Sequence, residues 1–152
     1  MGLQAGTGST DMVLGLRGTY TGLFHVKRLV ADATLDHVLR TEGADGRRMG
    51  DETEARLWVS YRPYQSVSIG REWFVGPSLT WQQTGRDRRA GRELPETGGR
   101  ILWLGATTYV SPRAGLVFWL SAELATAQVA RTGQDAGSRV RFGVTRQFTL
   151  HD

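Results

Sequence analysis

Glu52-Thr53-Glu54-Ala55-Arg56-Leu57-Trp58-Val59-Ser60-Tyr61 is the stretch whose reading decides the fold. Ala55, Leu57, Val59 and Tyr61 alternate with Glu52, Glu54, Arg56 and Ser60, the two-residue period of a β-strand with one apolar and one polar face. The same period recurs along the chain. A first strand over 12–20 puts apolar residues at even positions, with Arg17 and Thr19 on the other face. A sixth sets Leu116, Phe118, Leu120, Ala122 and Leu124 against Val117, Trp119, Ser121 and Glu123. A seventh sets Val140, Phe142 and Val144 against Arg139, Arg141, Thr145 and Gln147.

Three further strands are less regular. The second, from about Phe24 to Val38, alternates Leu29, Ala31, Ala33 and Leu35 with Val30, Asp32, Thr34 and Asp36, provided that a bulge near Lys27-Arg28 restores the phase. The fourth, from Val67 to about Trp81, contains Gly76-Pro77, and a bulge or break is expected there because proline cannot donate to a ladder. In the fifth, Arg100 to Val110, Leu102 and Leu104 oppose Ile101 and Trp103, so periodicity alone leaves its phase open.

Short and long gaps take turns between these seven strands. The short ones lie near Thr21-Gly22-Leu23, Arg62-Pro63-Tyr64-Gln65 and Ser111-Pro112-Arg113, and the long ones are Thr41 to Asp51, Thr84 to Gly99 and Arg131 to Gly137. A transmembrane β-barrel has this punctuation, with long outer loops and short periplasmic turns. The sequence therefore predicts an all-β chain, residues 1–152 forming a single domain: an antiparallel up-and-down transmembrane β-barrel segment of about seven strands. Tyr20, Tyr61, Tyr109 and Phe148 end the odd-numbered strands beside a short turn or the terminus, where an aromatic girdle at the membrane–water interface is expected.

Composition narrows the alternatives. No apolar run approaches the roughly 20 residues of a spanning helix, whereas a barrel strand needs only about 9–11. There is no cysteine, and eighteen of the nineteen basic residues are arginine, Lys27 being the exception. The net charge of +4 raises a nucleic-acid reading, but the arginines divide between loops and one strand face and form no basic helix, so no nucleic-acid partner is expected. The opening Met1-Gly2-Leu3-Gln4-Ala5-Gly6 does not read as a secretory signal. If short turns are periplasmic, the first and seventh strands run in the same direction, while single-chain bacterial barrels have an even strand number. The expectation is the C-terminal part of a larger, here incomplete barrel, whose open strand edges favour self-association.

Several stretches carry a family resemblance. They are Leu3-Gln4-Ala5-Gly6-Thr7-Gly8-Ser9-Thr10-Asp11, Met49-Gly50-Asp51-Glu52 leading into Ser60-Tyr61-Arg62, Thr97-Gly98-Gly99-Arg100-Ile101-Leu102-Trp103-Leu104-Gly105, and Arg139 to Phe148. Together they resemble the C-terminal portion of the outer-membrane transporter family named after the meta-pathway of phenol degradation. Ala106 replaces a proline often seen there, and Thr149-Leu150-His151-Asp152 follow the terminal Phe148. The resemblance implies an outer-membrane channel or transporter, in a Gram-negative bacterium, for small and often hydrophobic compounds; it supplies no binding residues.

The residues expected to line the lumen are Arg17, Glu52, Glu54, Arg56, Glu123, Arg139 and Arg141. Glu52 and Glu54, beside Asp51, could be imagined as paired carboxylates for acid–base work, but a lumen charge network with the arginines is the better reading. His25, His37 and His151 lack metal-ligand spacing, and the serines lack a nucleophile elbow. No enzyme activity, metal or cofactor is expected. Arg86, Arg88, Arg89 and Arg92 lie in a long loop, either as solvated charge or facing lipid phosphates. The expected partners are outer-membrane lipid and a small-molecule solute. Two rivals remain: a soluble ligand-binding β-barrel, with apolar residues inward, and an outer-membrane enzyme acting on lipids.

Overall fold

The computed structural model describes residues 10–43, 46–66, 70–130 (backbone only at 129 and 130) and 137–146. Its strands are β1 Met12–Thr21, β2 Leu29–Leu39, β3 Arg47–Arg48, β4 Glu52–Ser66, β5 Arg71–Thr84, β6 Arg88–Arg89, β7 Arg92–Glu93, β8 Gly99–Arg113, β9 Leu116–Ala130 and β10 Ser138–Arg146. Seven of them form one antiparallel meander in the order β1-β2-β4-β5-β8-β9-β10, and β3, β6 and β7 form a separate small sheet. The chain is all-β, as its periodicity predicts. The large sheet is not closed: β1 and β10 are its free edges.

The alternation fixes which side chains share a face. Leu57, Leu79, Leu104 and Leu124 are successive partners across β4, β5, β8 and β9, and all four are exposed. On the opposite face Trp58, Ser78, Gly105, Glu123 and Arg139 form the neighbouring row. That second face is concave, as the contacts across it require. Four strand spacings separate β4 from β10, about 19 Å on a flat sheet, yet Arg141 Nη1 lies 3.4 Å from Glu54 Oε1. Only a curled sheet brings these two side chains together.

The phase of β8 is now settled. Trp103 is buried on the concave face and Leu104 is exposed on the convex one. The same parity turns Tyr109 inward, where its ring sits 4.5 Å from that of Trp58. Tyr109 is therefore not part of an outward girdle. Tyr20 and Tyr61 are exposed as expected, Tyr64 and Trp73 are exposed outward partners at the same end, and Phe148 lies outside the described residues.

Several boundaries differ from the sequence expectation. A 3-10 turn at Leu23–His25 with φ of 53° at Phe24 occupies the expected start of the second strand, so β2 begins at Leu29 and no bulge is needed at Lys27-Arg28. Arg62-Pro63-Tyr64-Gln65 is not a turn. It lies inside β4, where the register with β5 slips between Tyr61 and Tyr64; the bulge releases Pro63 from the donor role it cannot fill. Likewise Ser111-Pro112-Arg113 belongs to β8, which slips against β9 after Val110 and turns at Ala114-Gly115. In β5 the bulge or break expected at Gly76-Pro77 is one-sided: the pairing to β4 skips both residues, while they keep register with Thr107 and Ala106 of β8. The expected start of that strand at Val67 lies outside the described residues, as does the long gap over 131–136.

Candidate functional site: a charge network on the concave face

Burial on this protein is inverted. The apolar residues buried among the described ones are Val30, Trp58 and Trp103, whereas Asp32, Ser60, Ser78, Thr80, Thr107, Ser121 and Glu123 are all buried polar groups of the concave face. A buried polar group is tolerated when it is hydrogen-bonded. Here the partners come from neighbouring strands: Thr107 Oγ1 donates to Ser121 Oγ at 3.0 Å, and Thr80 Oγ1 donates to Glu123 Oε1 at 2.8 Å.

Glu123 is the centre of the arrangement. Its side chain is wholly buried, and its other oxygen, Oε2, accepts from Arg139 Nε and Arg141 Nη2, both at 2.7 Å. Arg141 continues to Glu54 at 3.4 Å, and Glu54 accepts from Arg56 Nη2 at 2.7 Å. Arg139 Nη1 donates to Gln82 Oε1 at 3.2 Å, and its guanidinium lies 4.1 Å from the centre of the Trp103 ring, a cation–π contact. Short charge-assisted bonds of this kind are among the strongest available to a protein. Two carboxylates thus tie three guanidiniums together across β4, β9 and β10, with Thr80 and Gln82 of β5 joining in.

The network depends on an absent side chain. Glu123 and Thr80 stand on β9 and β5, and β8 runs between them with Gly105 at the crossing. A Cβ on Gly105 would collide with the Ala122 carbonyl and approach Glu123 Cγ to 2.6 Å. Gly105→Ala is therefore expected to destabilise the fold by about 1–3 kcal/mol, the usual range for overpacking. Chemical unfolding should show a lowered midpoint with an unchanged slope. A variant as stable as the parent would mean that Glu123 does not cross there.

The seven residues expected to act together divide into three groups. Glu54, Arg56, Glu123, Arg139 and Arg141 are brought into one network. Glu52 stands beside it, bound to Arg40 and Gln82, both at 2.8 Å. Arg17 is separate: it pairs with Asp32 at 3.2 Å from the edge strand, where its own side chain is 65% exposed. Asp51 is not shared with Glu52 and Glu54 as a carboxylate cluster, since Arg48 and the Arg40 amide hold it. Sequence reasoning did not select Thr80, Gln82, Trp103 or Gly105. Below the network, Trp58, Phe74 and Tyr109 make an aromatic wall. Trp58 Nε1, Arg139 Nη2 and Arg141 Nε are buried donors with no hydrogen-bond acceptor.

Two of the long loops, over 41–51 and 84–99, contribute short paired strands. The β3, β6 and β7 pieces join into a cap at one rim, with Arg47↔Arg89 and Arg89↔Arg92 directly opposed. Glu93 pairs with Arg86 at 3.2 Å and Arg88 at 3.0 Å, so these two of the four loop arginines are not free for lipid phosphates. Asp87 fastens the cap, accepting from Arg47 Nη2 at 2.8 Å and from the Gly50 amide at 2.9 Å. Burial pushes the Asp87 carboxyl up, but Arg47 and the Gly50 amide outweigh it and hold the group below its ordinary 3.8. A depressed carboxylate contributes its stability above the ordinary value and loses it as pH falls through the folded one. Protection of the Gly50 amide from hydrogen exchange should therefore hold at neutral pH and decline below 3.8. In Asp87→Asn it should be weak at every pH, and protection that ignored both changes would show that Asp87 does not fasten the cap.

No family model, curated protein or solved structure matches this chain.

Proposed function

We propose that this chain forms the wall of an outer-membrane β-barrel in a Gram-negative bacterium, serving as a channel or transporter for small, including hydrophobic, compounds. The observation that carries this reading is the inversion of the sheet: leucines outside, charges inside. A soluble barrel hides its apolar residues in the interior, and a large exposed apolar patch on a soluble monomer invites association or aggregation. In hydrocarbon the same surface is solvated, and the polar face lines a wet interior.

The dimensions suit a bilayer. Outward Leu102 to Val110 on β8 cover about 27 Å along the strand, or about 21 Å along the normal at a tilt of about 40°, close to the ~25 Å apolar band of such barrels. In a bilayer the open edges β1 and β10 must find strand partners, because unpaired backbone groups are not tolerated in hydrocarbon. The resemblance to the phenol meta-pathway transporter family adds to the same reading.

Solute would pass along the concave face, between the charge network and the aromatic wall. Three guanidiniums less two carboxylates (3 − 2) leave the network at +1, so the path should favour anions only weakly.

Flux through reconstituted vesicles tests the proposal. Vesicles carrying the folded protein are expected to take up small neutral and anionic solutes faster than protein-free vesicles. Inserted, protease-resistant protein with no added permeability would leave a structural wall in place of a channel.

A further inference from the structure

We propose that the cleft formed by Lys27, Arg28 and Arg62 at the short-turn end holds the phosphate of a membrane phospholipid headgroup. The cleft has a volume of about 310 Å³ and is lined by these three residues with Pro63 and Gln65. Both arginines are positioned by features of the fold. Arg62 sits in the β4 bulge between Tyr61 and Tyr64, and bulges re-aim side chains. Its Nη2 donates to the Lys27 carbonyl at 3.4 Å, and its guanidinium lies 5.8 Å from the centre of the Phe74 ring, at the inner side of the rim. Arg28 Nη1 donates to the Tyr61 hydroxyl at 3.3 Å, and the Arg62 amide bonds the Arg28 carbonyl at 2.8 Å, which draws the two arginines together.

Among the described residues these charges are only partly matched. Glu72 is the nearest acid, 4.0 Å from Arg62 Nη1, and Gln65 already donates to the same oxygen at 3.0 Å. The wider rim has the same bias: Lys27, Arg28, Arg62, Arg71 and Arg113 gather at this end, with Glu72 as the one acid among the described residues there. At the long-loop rim, by contrast, Arg47, Arg48, Arg86 and Arg88 are each paired, with Asp87, Asp51 and Glu93. Guanidinium and ammonium groups left without carboxylates bind phosphoryl oxygens well.

Level selects lipid over a soluble phosphate. Exposed Tyr20, Tyr61, Tyr64 and Trp73 surround the same end, and such aromatics mark the headgroup layer of a bilayer. Tyr61 belongs to both features, facing outward while its hydroxyl holds Arg28. The inference rests on the membrane reading of the sheet, with the headgroup drawn from the leaflet beside the short turns.

The full chain in dodecyl maltoside micelles, titrated with phosphatidylglycerol and followed by native mass spectrometry, provides the test. The triple variant Lys27→Gln, Arg28→Gln, Arg62→Gln is expected to bind this lipid about a hundredfold more weakly. Arg71→Gln with Arg113→Gln, outside the cleft, should change binding by less than about tenfold. A glucosyl diacylglycerol without phosphate should bind the parent no better than it binds the triple variant, and strand content by circular dichroism should match in all variants. Equal binding of both lipids, or equal binding by parent and triple variant, would overturn the cleft while leaving the membrane reading standing, because flotation with vesicles reports insertion separately. A chain that does not float with vesicles overturns both, and binding of soluble glycerol phosphate in preference to the lipid overturns the assignment to a headgroup.

Discussion

Glu123→Leu is expected to lower the unfolding free energy of the chain folded in lipid by about 3–5 kcal/mol, the cost of removing one partner from a buried ion pair. The substitution leaves Arg139 and Arg141 facing each other without the carboxylate oxygen they share at 2.7 Å. Both guanidiniums retain some exposure, 20% and 27% of their side chains, so the lower end of that range is the better expectation. Glu123→Gln keeps an acceptor toward Thr80 and should cost less than the leucine. Replacing Glu123, Arg139 and Arg141 together by apolar residues should recover much of the loss, because no orphaned charge then remains. Urea unfolding in lipid vesicles, read by tryptophan fluorescence, measures all three. A leucine variant within about 0.5 kcal/mol of the parent, the scatter of an ordinary surface substitution, would show that the network is ornamental to the fold.

The second large effect belongs to the convex face. Leu104→Arg is expected to cost about 2–4 kcal/mol in a bilayer, and Val110→Arg, six residues nearer the short-turn rim, about 0–1 kcal/mol, as depth in hydrocarbon dictates. The two residues are comparably exposed outward partners on one strand. A protein whose convex face met water would tolerate both arginines alike. The gradient along β8 is therefore the informative quantity, more than either value alone.

Much of this architecture was legible from residue order. A period of two assigns Leu57 and Arg56, or Leu124 and Glu123, to opposite faces without any knowledge of the fold, because alternation is a local property of the strand. The ends of strands were less legible. Arg62-Pro63 and Ser111-Pro112 look like turns because proline cannot donate, yet each sits at a bulge where a donor is not required. The partners within the network were not legible at all. Arg141 and Glu54 are 87 residues apart, and their meeting depends on the register of every intervening strand pair and on the curl of the sheet. Gly105 carries no chemical signal of its own until a carboxylate is known to cross it. The cap was hidden for another reason: β3, β6 and β7 are two residues long, too short for periodicity, and Arg89-Ala90-Gly91-Arg92 turns with φ of 49° at Ala90, where alanine gives little warning. Tyr109 was misplaced because both faces of β8 are apolar enough to fit either phase.

The convex face is expected to meet lipid, and the concave face is not. Trp81 and Trp103 test this directly, since they lie one position out of step on the paired strands β5 and β8, facing opposite ways at the same level. Trp103 is buried at 7% and Trp81 is exposed at 36%. Variants retaining only one of the two, with the other tryptophans changed to phenylalanine, can be folded into vesicles whose acyl chains carry bromine. Strong quenching of Trp81 with little quenching of Trp103 is the predicted result. Equal quenching of both, or none at Trp81 in protein that has bound the vesicles, would show that the convex face is not the lipid face.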